Sequence, residues 1–205
     1  MTPVPGRRTQ AERRTATRSA LVRATVDCLV ELGYARTTTQ EVQSRAGVSR
    51  GALTHHFTAK ADLVLAAMEH LYEEFSESVR KAAAELPDDP AVRIRLGIEL
   101  IWARFHGPLF VASMELWTAA RTDRELRAAL LPHERRLGAQ LRELSVEVFG
   151  EQVARHPASE AVYQVLLTSM RGQALTYSLQ PDASRDGQYL QHWHAIVDAV
   201  TRSAP

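Results

Sequence analysis

The sequence has little cysteine, no long apolar run and no repeated unit. One cysteine among 205 residues, Cys28, excludes a disulfide within the chain and a metal site built from several thiolates. No apolar run approaches the roughly eighteen residues of a membrane-spanning helix. The basic N-terminus is not followed by the apolar stretch of a signal peptide, because Arg23 and Asp27 interrupt the apolar residues. We therefore expect a cytoplasmic protein without a membrane partner.

Two widespread enzyme motifs are missing as well. The sequence has neither the GxxxxGK loop that cradles phosphates nor the HExxH pair of zinc enzymes. Cys28 falls on the apolar stripe of the first predicted helix, where it serves as a small apolar residue rather than as a nucleophile. We expect no enzymatic activity, no cofactor and no metal; a helical enzyme is the alternative from another class.

Charge is distributed unevenly along the chain, although its net value is only +1. Residues 1–60 contain ten Lys or Arg against four Asp or Glu, a net charge of +6, whereas residues 61–205 contain fifteen against twenty, a net charge of −5. A basic end on a mildly acidic body is expected when that end binds a polyanion, because neutralised phosphates release condensed counterions.

Apolar residues recur at three- and four-residue steps almost everywhere, and strand signals are nearly absent. The sequence predicts an all-α fold of about nine helices, with a three-helix DNA-binding domain in residues 1–61. A helical effector-binding and dimerisation domain follows in residues 62–205. Gly33 is expected to end the first helix in a left-handed conformation. The predicted helices cover about 13–32, 39–46, 50–56, 62–86, 90–105, 108–121, 123–149 with a kink at Pro132, 159–180 and 188–202.

The stretch GVSRGALTHHF, residues 47–57, follows the short predicted helix 39–46 and contains the short predicted helix 50–56. TTQE (38–41) matches a capping box at the start of helix 39–46. Gly47 permits a turn, and Ser49 is a good N-cap for helix 50–56. A helix, a glycine-containing turn and a helix form the helix-turn-helix, which presents the start of its second helix to the DNA major groove. Arg50, near that start, is placed to reach guanine O6 and N7.

The longer stretch GYARTTTQEVQSRAGVSRGALTHHFTAKADL resembles the N-terminal DNA-binding domain of the tetracycline-repressor (TetR) family of bacterial transcription regulators. The resemblance is close over about residues 14–65; beyond them, the chain resembles the family only in its run of helices. It implies a ligand-responsive regulator, most simply a repressor. Such a repressor binds a palindromic double-stranded operator as a homodimer, and a mostly apolar small molecule releases it.

The resemblance also implies roles for individual residues. Gln40, Arg50 and Thr54 occupy positions whose side chains reach bases or adjacent backbone, and the small Gly51 lets the helix approach base edges. The family usually has Tyr where this chain has Thr54, so a contact made by that ring is lost here or passes to His55. The positions that contact phosphate are Thr38, Thr39, Ser49, His55, His56 and Lys60.

Two further features of this basic part invite other interpretations. His55 and His56 could suggest a metal, but adjacent residues project about 100° apart on a helix and no Cys, Asp or Glu lies nearby in the sequence. We therefore expect no metal there. The basic residues before and at the start of the first helix form either an arm for phosphates or the minor groove, or a solvated tail. They are Arg7, Arg8, Arg13 and Arg14.

The central helices hold aromatic and polarizable side chains among few charges. In a repressor of this family such residues would line an effector cavity, and the alternative is plain core packing. Arg104 and Glu115 are charges within apolar runs, so each must be paired, exposed or used in the pocket. His133 is a further candidate. The predicted pocket is Trp102, Arg104, Phe105, His106, Phe110, Met114, Glu115, Trp117, Tyr163 and Met170.

The last two predicted helices carry apolar stripes that suit a four-helix bundle made by two copies, and the resemblance implies dimerisation of this kind. A body that only dimerises would leave a constitutive DNA-binding dimer without an effector, which is the remaining alternative. The predicted interface is Val162, Leu166, Ser169, Met170, Tyr189, Leu190, Trp193, Ile196, Val197 and Val200.

Overall fold

The computed structural model describes residues 9–179 and 183–202, which form ten α-helices and no strand. The helices are α1 (Gln10–Arg36), α2 (Thr39–Ala46), α3 (Arg50–His56), α4 (Lys60–Ala83), α5 (Pro90–Arg104), α6 (Pro108–Ala120), α7 (Arg124–Phe149), α8 (Glu151–Ala154), α9 (Ser159–Leu179) and α10 (Ala183–Arg202).

The predicted all-α class is therefore confirmed, with small differences in number and bounds. The extra helix is the single turn α8, which follows Gly150 at a positive φ of 88°. α10 begins at Ala183, five residues before the predicted start at 188. α7 continues through Pro132.

The first helix shows how local signals set its ends. Thr9 and Glu12 form a reciprocal capping box at its start, with Thr9 N donating to Glu12 Oε2 at 2.7 Å. Gly33 interrupts the helix with φ +77° and ψ 170°, a conformation that favours glycine. Helical residues then resume up to Arg36. The sequence predicted that Gly33 ends the helix in the left-handed conformation. Its φ is positive as expected, but its ψ lies outside the left-handed region and the helix ends at Arg36.

The described chain folds as two compact units. The N-terminal unit comprises residues up to Tyr72 together with Val111–His133, and the second unit comprises Glu73–Phe110 together with residues from Glu134 onward. This division differs from the expected boundary at residue 61. The N-terminal unit includes most of α6 and the start of α7.

The core of the N-terminal unit joins the three predicted DNA-binding helices to the start of α4. Each helix contributes at least one fully or nearly buried apolar side chain, and each buried Leu, Val or Phe among them stabilises the fold by about 1.5–3 kcal/mol. The buried members are Leu21, Val22, Ala24, Cys28, Val42, Leu53, Phe57, Leu63 and Ala66. Burial raises the pKa of the Cys28 thiol, which is 0% exposed.

The second unit is held by an apolar cluster and by one arginine. Val79, Leu144 and Val148 are buried together. Arg93 donates to the carbonyl oxygens of Val148 at 2.8 Å and Leu86 at 3.3 Å, so one guanidinium satisfies backbone acceptors at or beyond the ends of two helices. Within the described residues, no helix is long and apolar enough to cross a membrane, and no group of three or more potential metal ligands occurs.

Candidate nucleic-acid interface

The turn between α2 and α3 is built by local capping. Thr38 Oγ1 accepts a hydrogen bond from Glu41 N at 3.1 Å where α2 begins. Gly47 ends α2 in the left-handed region, with φ +65° and ψ +31°. Ser49 Oγ then accepts from Ala52 N at 3.2 Å where α3 begins. Two short helices therefore meet across a tight turn, as a helix-turn-helix requires.

The expected capping box of α2 is only half formed. Glu41 does not reach back, because its Oε1 accepts from Arg45 Nε at 2.8 Å, one turn further along. Arg45 also donates to Glu31 Oε2 at 2.6 Å, which joins α2 to α1. A charged partner outcompetes the neutral N-cap backbone for Glu41. As a result, Arg45 is paired within the protein.

The letters GVSRG, residues 47–51, also fit the GxSxG pattern of hydrolase nucleophile elbows. That motif needs a strand before the serine. Here Ser49 follows the helix α2 and the left-handed Gly47, and its hydroxyl caps α3. The pattern therefore serves the turn between two helices.

Eight of the ten residues predicted to contact DNA are exposed at the starts of α2 and α3 or on the outer side of α3. A side chain added at Gly51 would meet nothing within 4 Å, so the backbone there is open to close approach. The Thr54 hydroxyl donates to Arg50 O at 3.1 Å. We call these eight residues the reading edge. They are Thr38, Thr39, Gln40, Ser49, Arg50, Gly51, Thr54 and His55.

Arg50 is the cation of the reading edge. It lies in the first turn of α3 and is exposed, and no described residue accepts a hydrogen bond from its guanidinium. Arg45, five residues earlier, is exposed as well but paired with two carboxylates. The donors of Arg50 are therefore available to a ligand, and those of Arg45 are engaged.

His56 is half-buried beside His55, with ring centroids 5.4 Å apart. Its pKa is lowered from 6.5, chiefly by burial and then by the nearby charges of His55, Arg14 and Arg18. These groups disfavour a further positive charge, so His56 is mainly neutral near pH 7.

Lys60 is half-buried and has a partner within the protein. Its Nζ donates to Tyr34 O at 2.7 Å and lies 3.6 Å from the centroid of the Tyr34 ring. Burial lowers the pKa of Lys60, and the Asp123 carboxylate partly opposes this shift. The Tyr34 carbonyl takes one of the three donors of the ammonium, so the implied contact of Lys60 with DNA phosphate stays a prediction.

Tyr34 itself was missed by the sequence reasoning. Its backbone N donates to Glu115 Oε2 at 2.9 Å, across 81 residues of chain. Burial raises the pKa of its hydroxyl, and Asp123 adds to the shift through its charge and a hydrogen bond. A Cβ added at Gly33 would lie 2.6 Å from Glu115 Oε2. We call Gly33, Tyr34, Lys60, Glu115 and Asp123 the Tyr34 junction; the isolated charge of Glu115 was its one signal in the sequence.

With this geometry in place, comparison with known proteins decides the family. A model described as bacterial regulatory proteins, tetR family, matches residues 21–67, which contain α2, the turn and α3. The HTH-type transcriptional regulator CymR of Pseudomonas putida is 34% identical over 182 residues, covering 88% of this chain and 89% of that protein. The chain belongs to the TetR family.

Solved structures agree with this TetR assignment at the level of the fold. The multidrug binding protein EbrR, solved in complex with imidazole, has a TM-score of 0.65 at 20% identity over 96% of this chain and 97% of that one. NalD of Pseudomonas aeruginosa, the secondary repressor of the MexAB-OprM efflux pump, has a TM-score of 0.55 at 22% identity over 89% and 96%. The family model and the identity with CymR confirm the predicted DNA-binding transcriptional regulator, and they confirm the expectation that the chain is not an enzyme.

Four predicted pocket residues of this TetR-family regulator lie together in the second unit. Trp102 is 4.7 Å from the His106 ring and 6.2 Å from the Phe105 ring, and Phe105 is 5.3 Å from Phe110, all between centroids. Two residues not predicted for the pocket extend the group. We call the whole set the aromatic cluster: Trp102, Phe105, His106, Phe110, Tyr177 and Trp193.

The other predicted pocket residues are dispersed. Arg104 donates to Ser78 Oγ at 3.2 Å. In the second unit, the Arg142 guanidinium lies 4.6 Å over the Tyr163 ring, and Met170 is buried. Three predicted pocket residues lie in the N-terminal unit: the half-buried Met114 and Trp117, and Glu115 of the Tyr34 junction. The further candidate His133 also belongs to this unit. It is buried, and its Nδ1 lies 3.9 Å from Glu69 Oε1.

The predicted dimer face needs a correction. Trp193 is 1% exposed, and its Nε1 donates to Ser169 Oγ at 2.9 Å within the same chain. Leu166, Met170 and Val197 are buried as well, so these four pack the core of one chain and offer little free surface. The sequence predicted that the apolar stripes of the last two helices pack against a second copy. In the structure, α5 of the same chain covers part of α10.

Other members of that prediction remain at the surface to some degree. Ser169 and Ile196 are exposed, whereas Val162, Tyr189 and Leu190 are half-buried. Val200 lies outside the residues whose side chains are described. Arg7 and Arg8 lie outside the described residues, and Arg13 and Arg14 belong to the first turns of α1 rather than to an extended arm.

Proposed function

We propose that this TetR-family regulator is a ligand-responsive repressor that binds a palindromic operator as a homodimer and is released by a mostly apolar small molecule. The reading edge is the observation that carries this proposal. It consists of exposed polar side chains and one glycine on two short helices whose apolar side chains Val42 and Leu53 are buried in the core. Such an arrangement suits phosphate contacts by the hydroxyls and base readout by Arg50.

The proposal of a dimer rests on an exposed face of α9. Val165, Gly172 and Leu179 recur every seven residues, close to two helical turns, and therefore lie on one side of the helix. All three are exposed, with Val165 at 52% and Leu179 at 83% of their surface. A soluble protein rarely leaves such a stripe uncovered. A second copy of α9 is the partner that a symmetric pair supplies.

A matched pair of variants tests the dimer. Val165→Glu should shift the sedimentation coefficient toward the monomer, because a carboxylate would be buried at the interface. Val92→Glu makes the same change at another exposed valine, on α5, and should leave the dimer intact. A monomeric wild-type chain would contradict the dimer.

The proposal of an effector rests on the aromatic cluster. Trp102 is buried, and its indole Nε1 finds no acceptor among the described residues. A buried donor without a partner costs about 1–3 kcal/mol. An apolar ligand that carries one acceptor would recover this loss and stack on the surrounding rings.

Two experiments test this regulation. Selection of duplex DNA from a random pool should return inverted repeats, with half-sites about one helical turn or a multiple apart.

A thermal-shift screen of apolar compounds should give a ligand that raises the Tm of the wild type. The increase in Tm should be smaller for Trp102→Phe, which keeps a ring and loses the donor. That ligand should weaken operator binding, and the operator should weaken ligand binding by the same factor. Equal ligand affinities with and without operator would contradict regulation by the ligand and would favour the alternative, a constitutive DNA-binding dimer.

A further inference from the structure

A polar groove lies between α1 and the last turn of α3, beside the reading edge. Its volume is about 230 Å³, and its lining is entirely polar or titratable. We call it the α1–α3 groove. The lining residues are Arg14, Thr15, Arg18, Ser19, His55 and His56.

The two walls of the groove offer hydrogen-bond donors of complementary kinds. On α1, Arg14 and Arg18 are one turn apart, and so are Thr15 and Ser19, so two guanidinium groups and two hydroxyls line adjacent rows of one helix. The Arg18 guanidinium lies 5.4 Å over the Phe57 ring, which holds it at the edge of the core. The wall from α3 adds two imidazoles.

No lining residue is a carboxylate, so the positive charges of the groove are not neutralised from within it. The nearest acid along α1, Glu12, accepts a hydrogen bond from Thr9 N in the capping box. The lowered pKa of His56 has Arg14, Arg18 and His55 among its causes, which agrees with a positive potential inside the groove. A tetrahedral oxyanion fits this set of donors in charge and in size.

We propose that the α1–α3 groove seats a backbone phosphodiester of DNA, so that α1 forms part of the DNA interface through Arg14 and Arg18. This inference rests on the proposed function, because His55 belongs both to the reading edge and to the lining of the groove. A seated phosphate anchors the duplex without reading its sequence. A free phosphate ion has the same chemistry, and the experiment separates the two.

The test measures the salt dependence of binding to a random-sequence duplex, which needs no knowledge of the operator. The double variant Arg14→Gln/Arg18→Gln should lower the slope of log K against log salt by about one unit, as the loss of one phosphate contact predicts. Arg14→Lys/Arg18→Lys keeps both charges and should retain most of the slope. Both arginines are exposed, so thermal unfolding should change only by the small contribution of the contact between Arg18 and Phe57, about 0.5–1 kcal/mol.

Arg23→Gln is the matched control on the same helix. Arg23 is exposed and lies about 140° around α1 from Arg18, so the same change of charge falls on another face. It should leave the slope unchanged. An equal slope in the double glutamine variant, the Arg23 variant and the wild type would overturn the inference while leaving the proposed function intact.

Inorganic phosphate distinguishes the free ion from DNA. Its titration at constant ionic strength should shift the imidazole resonances of His55 and His56 in the wild type and not in the double glutamine variant. Phosphate-dependent shifts with an unchanged DNA slope would assign the groove to free anions and overturn the DNA contact. A wild-type chain that binds no duplex would overturn the proposed function and this inference together.

Discussion

The reading edge and the Tyr34 junction are both polar and both belong to the N-terminal unit, yet they treat their polar groups in opposite ways. At the reading edge, Arg50 is exposed and no described residue pairs with it. At the junction, Lys60 and Glu115 are half-buried and bonded to the backbone of Tyr34. The comparison teaches that the first set is available for binding a partner, whereas the second stabilises the fold. Substitutions should therefore separate the two effects.

The largest effect is expected for Gly33→Ala in the junction. Its positive φ disfavours a side chain, and the added Cβ would collide with the Glu115 carboxylate that bonds Tyr34. Together these should lower the free energy of unfolding by about 3 kcal/mol, as measured by urea denaturation. Gly47→Ala is the comparison, because its φ is also positive, its ψ of +31° lies in the left-handed region that other residues can adopt, and nothing lies within 4 Å. A loss of about 1 kcal/mol is expected there; equal losses would show that neither the ψ of Gly33 nor the Glu115 carboxylate adds to the cost.

The next effect is expected at the reading edge and in DNA binding alone. Arg50→Ala should reduce discrimination at one base pair of each half-site by about 1–3 kcal/mol, as measured by competition between operator variants. Its unfolding transition should not move. Arg45→Ala removes an arginine that is already paired with Glu31 and Glu41, so operator preference should persist. A uniform loss on every sequence in Arg50→Ala would mean that Arg50 contacts phosphate instead.

Lys60 offers a sharper version of the comparison, because the resemblance implies a phosphate contact for it and the structure shows a hydrogen bond to Tyr34 O. Lys60→Met keeps most of the aliphatic stem and removes the donor to Tyr34 O, so the free energy of unfolding should fall by about 1 kcal/mol. The salt slope of DNA binding should stay at the wild-type value. A slope reduced by about one unit with unchanged stability would return Lys60 to the DNA interface.

The smallest effect is expected from His56 and differs in sign between folding and DNA binding. The pKa of His56 is lowered in the folded chain, so below pH 6.5 the unfolded chain binds more protons than the folded chain. The free energy of unfolding should therefore decrease as the pH falls from 6.5 toward the lower pKa of the folded chain. A phosphate nearby would raise the same pKa, so DNA binding should tighten severalfold, and by at most about tenfold per pH unit, between pH 7.5 and 5.5. Titration by fluorescence anisotropy checks this. His56→Gln should flatten the profile relative to His55→Gln; identical profiles in the two variants would exclude His56.

The sequence predicted what depends on neighbours in the chain. Thr38, Gly47 and Ser49 act through bonds within a few residues, and their roles in the turn were expected from residue type and spacing. The contact of Glu115 with Tyr34 spans 81 residues, so the sequence could only indicate that this charge needed a partner. Trp193 illustrates a third case: periodicity identified a buried stripe, but it could not tell the chain's own α9 from a second copy.

The single buried thiol of Cys28 makes this chain convenient for spectroscopy. A native protein whose one cysteine is 0% exposed should resist labelling reagents without prior mutation. A cysteine introduced at the exposed Arg23 would then carry a spin label uniquely. In a dimer, the distance between the two labels would report the separation of the DNA-binding helices directly, with and without a bound effector.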